Sequence, residues 1–535
     1  MMKVLCLAAA VCATSAAVPR ATPPPNIVFI MADDLGFNDI SLHGSPQIPT
    51  PNIDALAQSG VHLARYYAQP VCSPTRASLM TGRHSIHTGI YMPFDHGVTN
   101  EHLNLSFTML PAYLRRAANY SAHMVGKWHL GANTVNATPT GRGFESHVGY
   151  WSGAEDYETH TVSNTYDFFD GLTPAVALNN TWSTRIFTDA ATAIIAAHAA
   201  APSPPPLFLY LAFQNVHWPL EAPADIVARF ANTTGGSEER KMVCAMAAFL
   251  DEAVGNVTSA LRSAGMYDNT IVVLASDNGG PTNGDENTFS NNFPMRGGKN
   301  TLFEGGTRVV GMVRGPGVAV GAVSHSPVHV TDWLPSLVSM ATGGADFRQF
   351  APPGEPPYEA GDGLDVWSSI ASGGSSPSPR DWVLLEAHRG ATYLTHGDGL
   401  IVGDWKLLQV GPQCPVMENS WIPPPGQNAS VTPYFLQCGG ANGPRVGPAP
   451  NATQCNYPRA CLFNITGDPC EYDDVAAAHP DVVATLQARL ATLSATAVPP
   501  IVPAGCMPRI VQVRASDGGL APAYQPCDAP PLPPP

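Results

Sequence analysis

Four stretches of this chain carry apolar residues without polar alternation, and each leads to charged or amide side chains. Asn26-Ile27-Val28-Phe29-Ile30-Met31-Ala32 runs into Asp33-Asp34, and Ala122-His123-Met124-Val125-Gly126 runs into Lys127. Leu207 to Phe213 leads to His217, and Thr270 to Ser276 leads to Asp277-Asn278. Unbroken runs of this length suit strands covered on both faces, as in a parallel sheet between helices. The apolar positions of Lys241 to Ser263 recur at helical spacing. The pattern predicts an α/β fold. In open α/β sheets the ligand crevice lies outside the carboxyl ends of the strands. Any one strand end opens a polar loop in the ordinary way. Four of them, supplying acids, an amide, a lysine and a histidine, mark a candidate site.

Beyond Gly343 the composition shifts toward Gly, Pro and Ser, and Ser372-Gly373-Gly374-Ser375-Ser376-Pro377 reads as a linker. Shorter strand-like runs follow at Trp382 to Leu385 and Leu400 to Leu408, then a helix over Pro480 to Leu493. The closing Pro530-Pro531-Leu532-Pro533-Pro534-Pro535 reads as extended or disordered. The expected organisation is a leader over 1–17, a catalytic domain over 26–375, a smaller domain over 380–500 and a Pro-rich extension over 501–535.

Composition narrows the function classes. With 27 Lys+Arg against 42 Asp+Glu the formal charge is −15, and no basic stripe suited to nucleic acid is present. Lys3, the apolar run from Val4 to Cys12 and the small residues Ser15-Ala16-Ala17 read as a cleaved signal peptide. A membrane span would need about 20 apolar residues, and the run is shorter. No membrane span is expected after signal removal. Nine Asn-x-Ser/Thr sequons, at Asn104, Asn119, Asn136, Asn179, Asn232, Asn256, Asn428, Asn451 and Asn464, fit a secretory glycoprotein with an extracellular or lysosomal destination. Cys414, Cys438, Cys455, Cys461, Cys470, Cys506 and Cys527 cluster near the C-terminus and suggest disulfides. Cys72 and Cys244 stand apart.

The candidate chemistry follows from residue type. Asp33-Asp34 and Asp277-Asn278 offer only oxygen ligands, which suit a hard cation such as Ca²⁺ or Mg²⁺ rather than zinc. Either pair alone also fits a cap or a turn. In Lys127-Trp128-His129 a cation and an imidazole would share one face if the segment stays extended. His217 and Lys299, the latter in Arg296-Gly297-Gly298-Lys299-Asn300, are individually weak signals. In Cys72-Ser73-Pro74-Thr75-Arg76, Pro74 suits a first helical turn, placing Cys72 just before a helix N-terminus that favours an anion. A disulfide half or a plain reactive thiol are the alternatives at Cys72.

The motifs taken together resemble the sulfatases of the alkaline-phosphatase-like superfamily, and within them the arylsulfatase B (N-acetylgalactosamine-4-sulfatase) group. The family's C-x-P-S-R core stands here as Cys72-Ser73-Pro74-Thr75-Arg76, followed by Leu79 to Arg83; Gly126-Lys127-Trp128-His129-Leu130-Gly131 is intact. His217-Trp218-Pro219-Leu220, Asp251 to Val257, Ser276 to Gly280 and Phe303-Glu304-Gly305-Gly306 add to it, covering about residues 26–335. A fainter echo lies at Gly403 to Leu408 and Gly467-Asp468-Pro469. Thr75 replaces the commoner Ser, and the Cys-rich C-terminal region matches poorly.

The resemblance implies a large mixed, mostly parallel sheet flanked by helices, with a smaller C-terminal α+β domain. It implies that a formylglycine-generating enzyme oxidises Cys72 during maturation and that the product binds one Ca²⁺ with Asp33, Asp34, Asp277 and Asn278. Arg76 would hold the formylglycine, Lys127 and Lys299 the sulfate oxygens, and His129 and His217 the protons. The substrate would be a sulfated carbohydrate or an aryl sulfate. A phosphonate monoester or phosphodiester hydrolase with the same cysteine motif, and a non-catalytic binder of sulfated glycans, are the competing expectations.

Overall fold

The computed structural model describes residues 23–94, 99–233, 237–282, 288–387, 397–409, 439–440, 443–444, 455, 459–501, 509–514 and 520–530. The expected leader, Cys414, Cys438, Cys506, the sequons at Asn428 and Asn451 and the final five residues lie outside them. The four apolar runs are strands: Asn26–Ala32, Ser121–Gly126, Leu207–Ala212 and Thr270–Ser276. They lie side by side and parallel in a 10-stranded sheet, with Asn26–Ala32 between Thr270–Ser276 and Leu207–Ala212. Strand Gly311–Arg314 joins antiparallel beyond Thr270–Ser276, so the sheet is mixed at its flanks.

Both faces of the central strands are covered, which is why the runs show no alternation. Ile27, Phe29 and Met31 pack with the helices Cys72–Thr81, Leu110–Ala118 and Trp333–Thr342. Val28, Ile30 and Ala32 pack on the opposite side with Pro51–Gln58, Ser183–Ala200 and the helix Glu238–Ser263. The period of two sorts the side chains into two apolar cores instead of one core and one wet face.

A second, antiparallel sheet of four strands is built from Trp382–Glu386, Asp398–Val402, Trp405–Gln409 and Cys461–Asn464. The run Leu400 to Leu408, read from the sequence as one strand, is a hairpin. Gly403 adopts φ 58°, and Val402 pairs with Trp405. A left-handed backbone is what a tight turn asks of glycine. The helix Pro480–Ser494 packs on this sheet through Leu486, Leu490 and Leu493. In the segment expected as a Pro-rich extension, strands Arg509–Arg514 and Leu520–Gln525 pair with each other, and Ala523 pairs with Tyr166 of the main chain body. Cys455 and Cys461 form a disulfide, and Cys470 and Cys527 are also disulfide-bonded. Cys72 and Cys244 are buried free thiols.

A buried ionic cluster ties the strand Trp405–Gln409 of the smaller sheet to the short helix Glu304–Thr307 and to Glu471. Lys406 Nζ lies 2.9 Å from Glu304 Oε1 and 2.8 Å from Glu471 Oε1, with all three side chains fully buried. Glu471 also accepts from the Glu304 backbone N–H at 2.7 Å. Removing one member strands charges in a dry interior, so Lys406→Met is expected to cost about 3–5 kcal/mol. Chemical denaturation of the variant checks this, and an unchanged midpoint would contradict it.

A second buried polar cluster has a pH signature. His43 Nε2 and His62 Nε2 are 2.8 Å apart, a contact that needs at least one ring to act as acceptor. Burial, with Arg308 nearby, pushes His43 down to about 4 and His62 well below its ordinary value, and His43 and His325 add to the effect on His62. The unfolded rings titrate near 6.5, so between there and about 4 the unfolded chain binds more protons. This contribution to stability is present above about 6.5 and is lost as the pH falls through that window. Buried Glu155, pushed up to about 7 chiefly by burial, works in the opposite direction. The clean measurement is therefore a difference: thermal stability of His62→Leu against the wild type should show a shallower acid-side decline in the variant.

Candidate active site

The parallel register brings the four strand ends to one edge. Asp277 N–H donates to Ala32 O at 3.1 Å, Phe213 N–H to Met31 O at 2.9 Å and Lys127 N–H to Ala212 O at 2.9 Å. Asp33, Asp277, Lys127 and the segment leading to His217 thus emerge beside one another. Close approach demands glycine: a Cβ on Gly126 would lie 1.9 Å from Ala212 O, and one on Gly279 would lie 1.8 Å from Gly305 O.

Cys72 is the first residue of the helix Cys72–Thr81 rather than the residue before it, and Val71 is the N-cap in an extended conformation. The helix end faces the acids, with Cys72 Sγ 3.6 Å from Asp33 Oδ1. One turn on, Arg76 donates from Nη2 and Nε to Asp277 Oδ2 at 2.8 and 3.1 Å and lies 3.5 Å from Asp33 Oδ2. Its Nη1 donates to Lys127 O at 3.2 Å. Lys127 Nζ is 2.5 Å from Asp33 Oδ2, Lys299 Nζ is 3.0 Å from Asp34 Oδ2, and His217 Nε2 is 3.7 Å from Asp34 Oδ2. Every residue proposed from the sequence is buried, and three acids face three fixed cations.

The strand ends at Gly126, so Lys127 and His129 do not share an extended face as expected. His129 takes φ 55°, and its Nε2 meets Phe94 O at 2.9 Å. His129 still lies near enough to Lys127, Arg76 and His217 for their charges to act on it. His129 Nδ1 is buried without a hydrogen-bond partner. Burial, then Lys127, holds His129 well below its usual value, so the ring is neutral.

Burial would raise Asp33, but Lys127, Arg76 and Lys299 together hold its carboxyl below the usual range. Asp277 is raised by burial and by Asp33, against Arg76. Burial likewise drives the Cys72 thiol well up despite Lys127 and Lys299. A thiol held protonated is a poor nucleophile. That weakens the plain-thiol reading, and the free state of Cys72 removes the disulfide reading.

A metal can be tested against these donors. Ligand atoms of Asp33, Asp34, Cys72 and His217 lie within 4.8 Å of one another. Asn278 donates from Nδ2 to Asp34 Oδ1 at 2.7 Å, while its Oδ1 is buried with no partner. A buried amide oxygen without a donor costs free energy that a cation would recover. Oxygen donors of this number fit Ca²⁺ or Mg²⁺.

Sequence reasoning gave Ser73 no role. Its Oγ donates to His129 O at 3.0 Å and accepts from Phe94 N–H at 3.2 Å, fixing the His129 segment to the helix Cys72–Thr81. Its place beside Cys72 was the only available signal. Asn292 was missed outright; its Oδ1 accepts from Gly280 N–H at 2.9 Å and its Nδ2 donates to Gly297 O at 3.1 Å, bracing the Lys299 loop.

Residues 25–344 match the family model described as Sulfatase. This chain belongs to the sulfatase family. The sulfatase is 36% identical over 498 residues to arylsulfatase J of Mus musculus, covering 89% of this chain and 77% of the relative. It is 29% identical over 388 residues to N-acetylgalactosamine-6-sulfatase of Mus musculus, covering 66% and 67%. Among solved structures, Ps i-CgsB in complex with k-i-k-neocarrahexaose aligns with TM-score 0.70 and 25% identity over 89% of this chain and 94% of that one. The sulfatase is a sulfuric ester hydrolase, and the large mixed sheet with its small C-terminal antiparallel domain is the family's fold. Among its described residues no helix is long and apolar enough to cross a membrane.

Proposed function

We propose that this sulfatase removes sulfate from sulfated sugars in the secretory pathway or outside the cell, using a formylglycine made from Cys72 and one bound Ca²⁺. The observation that carries it is the placement of Cys72 at a helix N-terminus among three buried acids and three buried cations. Names of similar proteins support the sugar: one acts on N-acetylgalactosamine 6-sulfate and another was solved with a neocarrahexaose. Of the described sequon residues, Asn104, Asn119, Asn136, Asn232 and Asn256 are exposed, which suits glycosylation.

Asp33, Asp34, Asp277 and Asn278, with the oxidised residue 72, would hold Ca²⁺, which when bound offsets charge on the sulfate oxygens and on the nucleophile. A hydrated aldehyde at residue 72 supplies an oxygen nucleophile and a second hydroxyl through which sulfate can be released. Arg76 orients residue 72 through the Asp277 pair. Lys127 and Lys299 meet the sulfate oxygens as fixed charges, which cost no reorganisation as charge develops. His217, with Lys299, passes a proton to the departing alcohol. Neutral His129 takes the proton of the second hydroxyl, and its partnerless Nδ1 is the atom suited to accept it.

The test is mass analysis of the Cys72 peptide from secreted protein, alongside turnover of position-defined sulfated oligosaccharides with and without a chelator. The expected result is an aldehyde at residue 72 and activity that chelation removes and Ca²⁺ restores. Full activity with an unmodified thiol would overturn the mechanism.

A further inference from the structure

Among the described residues, two aromatic side chains are exposed: Trp218 at 58% and Phe289 at 40%. Exposed single hydrophobes are ordinary, but a large aromatic left in water gives up burial free energy and invites a reason. Both are neighbours of the same acid. Trp218 follows His217, whose Nε2 is 3.7 Å from Asp34 Oδ2. Phe289 precedes Ser290, whose Oγ donates to Asp34 O at 3.5 Å. His217 and Ser290 are buried, so on each side the chain passes from buried to exposed within one residue of a side chain that meets Asp34.

Neither position is loose. Trp218 O accepts from His217 Nδ1 at 2.6 Å, and Tyr157 OH donates to His217 O at 3.0 Å. Phe289 O accepts from Arg240 Nη1 at 3.1 Å. Phe289 also takes φ 59°, a conformation that a bulky residue adopts at a cost and that clusters at functional sites. With the sulfate oxygens drawn to buried Lys127 and Lys299, the ester C–O bond must point outward. The alcohol's own ring therefore lies at the rim.

We propose that Trp218 and Phe289 form an aromatic platform that receives the sugar ring bearing the sulfate, making them specificity-determining residues for sulfated pyranoses. A pyranose presents a flat face of C–H groups, and an indole face matches it with rigid apolar area at small entropic cost. The contact exists before and during bond cleavage, so it lowers KM and leaves kcat largely alone. The proposal rests on the sulfated-sugar reading above.

The experiment compares wild type, Trp218→Ala, Trp218→Phe and Phe289→Ala. The probes are N-acetylgalactosamine 4-sulfate, N-acetylgalactosamine 6-sulfate, the ring-free ester ethyl sulfate, and inorganic sulfate as inhibitor. For the better sugar ester, Trp218→Ala is expected to raise KM about tenfold with kcat within about twofold, Phe289→Ala to do the same more weakly, and Trp218→Phe to recover most of the loss. Inhibition by inorganic sulfate and turnover of ethyl sulfate should stay within about twofold, because neither offers a ring. Equal losses on ring and ring-free esters, or no change on the sugar, would overturn the platform. A wild type that cleaves ethyl sulfate but neither sugar would overturn the sugar reading itself.

Discussion

Replacing Cys72 with Ser is expected to abolish steady-state turnover, lowering kcat by at least about 10³, while leaving the fold intact. The side chain is buried at the first position of its helix, and a hydroxyl of similar size can donate to Asp33 as the thiol does. Stability should therefore change by less than about 1.5 kcal/mol. A serine hydroxyl can attack sulfur once, but the resulting ester has no second hydroxyl on the same carbon from which sulfate can be expelled. Pre-steady-state measurement should show at most one equivalent of alcohol released, with sulfate retained on the protein by intact-mass analysis. Sustained turnover by Cys72→Ser would remove the formylglycine from the mechanism. Loss of activity together with a large loss of stability would instead point to a structural role for Cys72.

The second large effect is expected at Lys127. Its ammonium is fully buried, 2.5 Å from Asp33 Oδ2. Lys127→Ala removes a fixed cation from the expected sulfate site and should lower kcat/KM about 10²–10³-fold, the range seen when one preorganised charge stabiliser is deleted. It also removes one of the cations around the buried Asp33 carboxylate, leaving Arg76 3.5 Å away, at a cost of up to about 3 kcal/mol in the metal-free protein. Added Ca²⁺ should recover part of that cost, because a cation held by Asp33 and Asp34 balances the same charge. Denaturation with and without Ca²⁺, read beside the kinetics, separates the two roles. Unchanged kcat/KM would mean that Lys127 serves only to neutralise Asp33. Lys127→Arg should retain more stability than activity, since guanidinium is planar and larger than the point charge it replaces.

The two predictions differ in how far the sequence alone could support them. Cys72 was legible because its neighbours Pro74 and Arg76 form a motif of fixed spacing, and one helical turn is enough to bring Arg76 onto the acids. Lys127 was legible as the residue after a buried run. Its partner was not, because Asp33 lies 94 positions away and meets it only through the parallel register of three strands. The expectation that Lys127 and His129 share an extended face failed for a local reason: the strand stops at Gly126, and His129 turns to φ 55°. Alternation holds only while the backbone stays in the ladder.

Sequence by itself determined the strands and helices that bury on both faces, because unbroken apolar runs have no other low-energy place. It also determined the chemical inventory of the site, since residue type decides what can hold a hard cation, fix an anion or carry a proton. Tertiary structure alone decided which of these residues meet. The pairing of Arg76 with Asp277 across 201 positions, the partnerless Asn278 Oδ1 and His129 Nδ1, and the Lys406 cluster with Glu304 and Glu471 are products of register and packing. Such contacts depend on strand order and on distances of a few ångströms, and a linear pattern carries neither.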